Sequence, residues 1–179
     1  MEQIDYNFEQ MLSGGHHNSL GNTVEVVEII LGDRRLLERL FDCYFSSDEV
    51  VRLRTSNAMK RICKAQPQWL VPYIDKFLND VAAIDQPSTQ WTLAQLFAQL
   101  DRQMNPQQLD RAKLLLQHNL VHYSDWIVLN ATMETLGKWS KHNPELKLWL
   151  KPHLVRLSQD RRKSVAGRAR KIIQLLDSD

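Results

Sequence analysis

Apolar residues along this chain recur at spacings of three and four, which is the periodicity of a helix with one buried face. One such face follows Asp48 and comprises Val51, Thr55, Ala58 and Ile62. No stretch alternates strictly between apolar and polar residues with turn-forming residues on both sides, so no strand is predicted. The pattern predicts four pairs of helices, over residues 33–45 and 48–65, 68–83 and 88–103, 107–122 and 125–142, and 145–158 and 162–176.

Three prolines mark a repeated unit. Pro67, Pro106 and Pro144 are 39 and 38 residues apart by subtraction, and each follows a polar residue and precedes an apolar helical pattern. Proline is tolerated in the first turn of a helix because the N–H that it lacks has no partner there. A period in this range is typical of repeats that hold two helices each. The sequence therefore predicts an all-α solenoid in which about four helix pairs stack over residues 33–176.

Residues 1–32 are predicted to form an N-terminal helical cap on these repeats. One helical face of the first segment carries Ile4, Phe8, Met11 and Leu12. The polar loop 13–19 contains two adjacent glycines and is predicted to be a flexible turn. Asn22 and Glu25 are predicted to form a capping pair for a helix over 24–31, closed by Gly32.

The helix that follows Asp48 resembles the HEAT repeat, in which an Asp before the helix is followed by Val-Arg and small apolar positions. Here these are Asp48, Val51-Arg52, Ala58 and Ile62. The resemblance covers residues 33–176 and implies an α-α superhelix, with the second helix of each pair on the concave face. It implies one HEAT-like, armadillo-type domain over residues 1–179, and it says little about activity. Independently of the family, Asp33 and Asp48 are predicted to be helix N-caps.

Composition and charge narrow the class of protein. The 179 residues are 43% hydrophobic and 25% charged with a net charge of +2, as in an ordinary globular domain. The two cysteines, Cys43 and Cys63, lie among apolar residues and are predicted to be buried core thiols in a reducing compartment. The first residues lack the apolar core of a signal peptide, and no apolar run is long enough to cross a membrane. We therefore expect a cytoplasmic protein that does not contact membranes.

Charged residues sort onto one side of the second helices. In the first of these helices the polar residues Arg54, Asn57, Arg61 and Lys64 are spaced by three and four. The repeat offsets extend this stripe to Thr92, Gln95, Gln99, Arg102, Ala131, Glu134, Lys138, Lys141, Arg168 and Lys171. The stripe holds eight basic residues and one acid, although the whole chain is nearly balanced in charge. It therefore predicts a positive groove, and the alternative is a solvated face that binds nothing.

The predicted function is that of a non-enzymatic adaptor whose concave groove binds an acidic protein surface, with nucleic acid as the second candidate partner. The predicted partner-binding residues are Arg54, Asn57, Arg61, Lys64, Arg102, Lys138, Lys141, Arg168 and Lys171. No cofactor and no metal are predicted, and the oligomeric state is left open.

An enzyme on the same scaffold is the alternative to an adaptor. HEAT-like solenoids include DNA glycosylases that act on alkylated bases, and such an enzyme needs aromatic side chains and a carboxylate in the groove. Trp91, Trp126, Asp125 and Glu134 have the required chemistry but do not match that family's motif, so no catalytic residue is predicted. Core packing is the other role open to Trp91 and Trp126. HEAT-like chromophore lyases are a further resemblance, and no bilin site supports it.

The remaining candidates are predicted to be structural. His118 and His122 are four residues apart and share a helix face, which suits two ligands of a zinc site. No third ligand accompanies them, so exposed or pairing histidines are predicted. Trp139 occupies the position of Ile62 in the repeat. The predicted core comprises Trp139, Ala58, Ile62, Leu96, Leu136 and Ile172.

Overall fold

The structure is a computed structural model that describes residues 5–178, and all regular secondary structure within them is helical. The α-helices are α1 (Phe8–Leu12), α2 (Thr23–Gly32), α3 (Leu37–Asp42), α4 (Glu49–Ala65), α5 (Pro67–Leu70), α6 (Ile74–Asn79), α7 (Pro87–Leu100), α8 (Pro106–His122), α9 (Trp126–Ser140), α10 (Pro144–Leu157) and α11 (Lys163–Asp177). Short 3₁₀ turns occupy Arg34–Leu36, Cys43–Phe45, Val71–Tyr73, Val81–Ala83 and Asp101–Gln103. The prediction of an all-α chain is confirmed.

The repeated prolines start helices, as predicted. Pro67, Pro106 and Pro144 are the first residues of α5, α8 and α10. The segment predicted as one helix over 68–83 is instead divided into α5, α6 and two 3₁₀ turns, and Pro72 lies in the first of these turns. A proline inside a helix removes one hydrogen bond and crowds the preceding turn, which accounts for the break.

The chain divides into two compact units, the N-terminal unit of residues 1–72 and the C-terminal unit of residues 73–179. In the N-terminal unit, α4 contacts α1, α2, α3 and α5. Its apolar face is buried as predicted, and Val51, Ala58 and Ile62 are fully covered. Phe8 and Leu12 of α1 are buried, whereas Ile4 lies outside the described residues.

Two of the three side chains predicted to cap helices in the N-terminal unit do so, and the third does not. Asp33 accepts from the backbone N–H of Arg35 at 3.0 Å and Asp48 from that of Val50 at 2.8 Å, so these two caps are confirmed. The Asn22 side chain caps nothing, and the predicted capping pair is wrong. The backbone of Asn22, with φ −87° and ψ 18°, lacks the extended conformation from which a capping side chain reaches the first turn.

In the C-terminal unit, α9 is the central helix and contacts α7, α8, α10 and α11. The second helices α7, α9 and α11 therefore lie side by side. The approach of α9 to α11 is close at Gly137, where a Cβ atom would lie 2.8 Å from Cγ2 of Ile172. Among residues 5–178, no helix is both long and apolar enough to span a membrane.

The predicted core is confirmed at five of its six residues. The buried residues are Ala58, Ile62, Leu96, Leu136 and Ile172. Trp139 is only half-buried, and the prediction for it is wrong. Its indole Nε1 donates to Oδ2 of Asp101 at 3.1 Å. An indole has one polar edge, so a tryptophan near the end of a helix can keep that edge at the surface while the rest of its ring packs inside.

Candidate partner-binding face

Three contacts join stripe residues of α9 to the neighbouring helices. Lys138 of α9 donates to the carbonyl oxygen of Ala98 at 2.7 Å and to Oδ2 of Asp101 at 2.5 Å, at the end of α7. On the other side of α9, Nη1 of Arg168 in α11 lies 3.2 Å from Oε2 of Glu134. Lys138 and Glu134 are four residues apart on one face of α9, and this face therefore lies beside Arg168 of α11 and beside the end of α7, next to Arg102.

We call this side the basic face and define it by Arg102, Lys138, Lys141, Arg168 and Lys171. Four of these side chains belong to exposed residues, and Arg168 is partly exposed. Arg102, Lys141 and Lys171 form no ion pair with any other residue in the range 5–178. The only carboxylates in the contacts described above are those of Asp101 and Glu134, so cations exceed acids by three. The face is therefore positive, and three of its five cations are available to a ligand.

The stripe of the N-terminal unit lies on α4 and is shorter than predicted. Arg61 and Lys64 are exposed. Asn57 is half-buried, and its Oδ1 accepts from Nε of Arg61 at 2.7 Å. This contact fixes the guanidinium of Arg61 against the helix surface. The α4 stripe therefore presents two exposed cations.

Arg54 does not line a surface, and the prediction that it binds a partner is wrong. Its side chain is buried, with 2% of the residue exposed. All of its polar contacts are to backbone carbonyl oxygens of the segment before α2, namely Leu12 at 2.8 Å, Ser13 at 3.1 Å and Gly14 at 2.6 Å from Nη1, His16 at 3.3 Å from Nη2, and Ser19 at 3.1 Å from Nε. A buried guanidinium needs such acceptors because desolvation without them is strongly unfavourable.

The loop of residues 13–21 is therefore an ordered cover for Arg54, whereas its sequence predicted a flexible turn. Gly14, Gly15 and Gly21 have positive φ angles of 70°, 76° and 49°. Glycine adopts this left-handed backbone readily, and here it turns successive carbonyl groups toward one guanidinium. The paired glycines were a signal for this conformation, but nothing in the sequence indicated which side chain would fill the loop.

The residues considered for a glycosylase have structural contacts. Asp125 caps α9, because its Oδ1 accepts from the backbone N–H groups of Ile127 at 2.8 Å and Val128 at 3.0 Å. Glu134 pairs with Arg168 on the basic face. Trp126, at the start of α9, is 48% exposed and is available for contact with a partner. Both carboxylates considered for catalysis are therefore engaged within the protein.

The candidate histidines lie at the surface, and the candidate cysteines lie in the core. His118 and His122 are exposed and their rings stack, with centroids 4.1 Å apart. Across residues 5–178, no three His, Cys, Asp or Glu side chains form a cluster that could hold a metal ion. Cys43 and Cys63 are buried free thiols, as predicted. Burial raises the pKa of each thiol to about 11, which keeps both in the unreactive protonated form near neutral pH.

Comparison of the chain with models of known protein families, with curated proteins and with solved structures gives no match in any of the three searches. The resemblance to HEAT repeats therefore rests on the residues around Asp48 and on the repeated prolines.

Proposed function

We propose that this chain is a non-enzymatic binding module of the HEAT-like superhelical type, and that its basic face binds an acidic protein surface. The observation that carries the proposal is the gathering of five cations from α9, α11 and the turns after α7 and α9 on one side of the C-terminal unit. The period of the prolines and the pairing of helices support the superhelical arrangement.

The basic face combines fixed and available cations. Lys138 and Arg168 are held by Asp101 and Glu134, which restricts their rotamers before a partner arrives. The three cations without an ion pair create a positive potential that attracts carboxylates and accelerates encounter. Restricting side chains in advance reduces the conformational entropy lost on binding. The arrangement therefore suits a ligand that is attracted by long-range electrostatics and then bound through several separate contacts.

An acidic protein fits this face better than a nucleic acid duplex does. A duplex presents phosphates at regular, close intervals, so a carboxylate in the binding face is repelled wherever it is placed. Glu134 is exposed on this face. A protein surface can place a basic residue opposite Glu134 and acidic residues opposite Lys141 and Lys171. The mixed charge of the face is therefore complementary to a mixed surface that is acidic overall.

The test is a triple charge reversal at the cations that have no ion pair, Arg102→Glu, Lys141→Glu and Lys171→Glu. These changes leave the pairs of Lys138 and Arg168 intact, so we expect an unchanged melting temperature. The probe is a fluorescently labelled poly-glutamate peptide, and its Kd is measured by anisotropy at low salt. We expect the Kd to rise by at least about tenfold, which corresponds to roughly 1.4 kcal/mol of binding free energy.

The matched control reverses three cations of the same unit outside the face, Lys147→Glu, Arg161→Glu and Lys163→Glu. This control changes the net charge by the same amount and should bind the peptide nearly as the wild type does. Equal weakening in both variants would mean that only net charge matters, and the proposal would be wrong. It would also be wrong if the wild-type protein bound no poly-glutamate.

A labelled DNA duplex distinguishes the two classes of partner. Contacts from all five cations to phosphates would give a slope of log affinity against log salt of about −4 to −5. If the duplex binds more tightly than poly-glutamate and with this slope, the partner is a nucleic acid and the assignment of an acidic protein fails.

A further inference from the structure

Large apolar side chains are exposed on the outer side of α8 and α10, which is the side turned away from α9. Leu148 is 79% exposed and Leu114 is 65% exposed, and these are the two highest values among the exposed large hydrophobic residues of the described chain. Val121 is seven residues after Leu114 on α8, and Val155 is seven residues after Leu148 on α10, so each pair shares a helix face. Exposed apolar groups at this spacing resemble the binding face of a helix that packs on another helix.

The two helices form one surface. A groove between them is lined by Leu114 and Gln117 of α8 and by Leu146 and Trp149 of α10. Leu114 therefore lies beside the first half of α10, next to Leu146 and Trp149. We call the set Leu114, Val121, Leu148, Pro152 and Val155 the outer apolar strip, and all five residues are exposed.

Opposite charges flank the strip on α10. Glu145 is in the first turn of this helix and Arg156 is in its last turn, and both are exposed. They are eleven residues apart, so they lie on the same side of the helix about 16 Å from each other. Neither forms an ion pair with another residue of the segment 5–178. On α8, Asp110 at the N-terminal end of the strip is paired with Lys113, whose Nζ lies 2.6 Å from its Oδ1. The order along α10 is acid, apolar, base.

We propose that the outer apolar strip binds a second copy of this chain, with the two α10 helices antiparallel about a two-fold axis near Pro152. A two-fold axis across α10 reverses its direction, so Glu145 of each copy faces Arg156 of the other copy. The same operation sets Leu148 of each copy against Val155 of the other, and Leu114 of the neighbouring helix widens the apolar contact. A surface with acid at one end and base at the other is complementary to itself under this symmetry.

The expected dimer is weak. The strip extends over about two turns of α10, which gives an interface at the small end of the specific range. We therefore expect a Kd on the order of micromolar and a mass that rises with protein concentration. Self-association on this strip is independent of the basic face, so failure of either proposal leaves the other standing.

The first experiment measures the mass of the full chain by sedimentation equilibrium over a range of micromolar concentrations. The wild type should change from monomer to dimer, and Leu148→Asp should remain monomeric throughout. The control Leu175→Asp places the same charge on an exposed apolar position of α11, and it should dimerise as the wild type does. A wild type that is monomeric at every concentration would overturn the proposal, as would a dimer that survives Leu148→Asp.

The second experiment tests the antiparallel charge pairs. Glu145→Arg and Arg156→Glu should each weaken the dimer by at least about tenfold, because each creates two like-charge contacts across the axis. An equimolar mixture of the two variants should dimerise again, since the new arginine of one copy then faces the new glutamate of the other. At the opposite end of the interface, the unchanged Arg156 of the first copy faces the unchanged Glu145 of the second. If dimerisation is lost in the single variants and does not recover in their mixture, the antiparallel arrangement is overturned.

Discussion

The Nη1 atom of Arg54 donates a hydrogen bond of 2.6 Å to the carbonyl oxygen of Gly14, which lies 40 positions earlier in the chain. Four further carbonyl groups of the same segment accept from this guanidinium. Arg54→Lys replaces a planar group with five donors by an ammonium with three and leaves buried acceptors without partners. We expect a loss of about 2–4 kcal/mol in the free energy of unfolding, measured by urea denaturation.

The control for this change is Arg61→Lys on the same helix. Arg61 is exposed, so its replacement should alter the free energy of unfolding by no more than about 0.5 kcal/mol. Hydrogen exchange provides a second measurement, because the amides of the loop 13–21 should lose protection only in Arg54→Lys. Equal stability of the two variants would contradict the buried contacts of Arg54.

Gly21 lies directly against the same guanidinium. Its φ is 49°, and a Cβ atom would lie 2.8 Å from Cζ of Arg54. Gly14 has a similar φ of 70°, but a Cβ atom there would meet no heavy atom within 4 Å. Gly14→Ala should therefore lose only the backbone term of about 1–2 kcal/mol. Gly21→Ala should lose at least about 1 kcal/mol more, because the guanidinium is held in place by its acceptors. Similar losses in thermal unfolding would show that the guanidinium can move.

The helices of this chain follow from local sequence. Asn105 and Pro106 predict the start of α8, and the structure adds a capping box in which Asn105 and Gln108 bond each other's backbone N–H groups. Such signals act within a few residues, so they can be recognised without knowledge of the tertiary fold. The contact between the stripe positions Glu134 and Arg168 was predictable for a related reason, since a repeat offset transfers a helix face from one pair to the next.

The two errors at charged and aromatic positions have a common cause. Arg54 and Arg61 occupy equivalent places on the polar side of α4, and no local feature separates them. Their environments differ only because carbonyl groups from 35 to 42 residues earlier cover one of them. Trp139 likewise matches a core position, but the acceptor for its N–H belongs to Asp101, 38 residues earlier. Contacts over such separations depend on the tertiary fold.

The close approach of α9 and α11 at Gly137 provides another test. Gly137 and Gly167 both lie inside helices, where replacing glycine by alanine gains about 1 kcal/mol from helix propensity. A Cβ atom at Gly167 meets nothing within 4 Å, whereas one at Gly137 would lie 2.8 Å from Cγ2 of Ile172. Gly167→Ala should therefore raise the melting temperature, and Gly137→Ala should lower it. Stabilisation by both changes would mean that α11 is displaced easily from α9.

A carboxylate before α11 has a strongly shifted pKa. Asp160 accepts three hydrogen bonds from Arg162, from Nε at 2.8 Å, from Nη2 at 2.7 Å and from the backbone N–H at 2.8 Å. Side-chain hydrogen bonds from Arg162 are the largest cause of a pKa that falls from 3.8 to about 2, and the backbone bond is the second. Arg162 also donates to the carbonyl oxygen of Ser124, so the pair joins the turn before α11 to the turn before α9.

The pKa of Asp160 is lower in the folded protein than in the unfolded chain, so the fold favours the ionised carboxylate. Its contribution to stability is complete above about pH 4 and is lost as the pH falls toward 2. Carbon-detected NMR should place the titration midpoint of Asp160 near 2. Arg162→Ala should raise that midpoint toward 3.8, whereas Arg161→Ala, at the exposed neighbouring position, should leave it unchanged. The stability difference between the wild type and Arg162→Ala should also shrink as the pH falls through this range. A midpoint that stays near 2 in Arg162→Ala would show that backbone donors alone lower the pKa of Asp160.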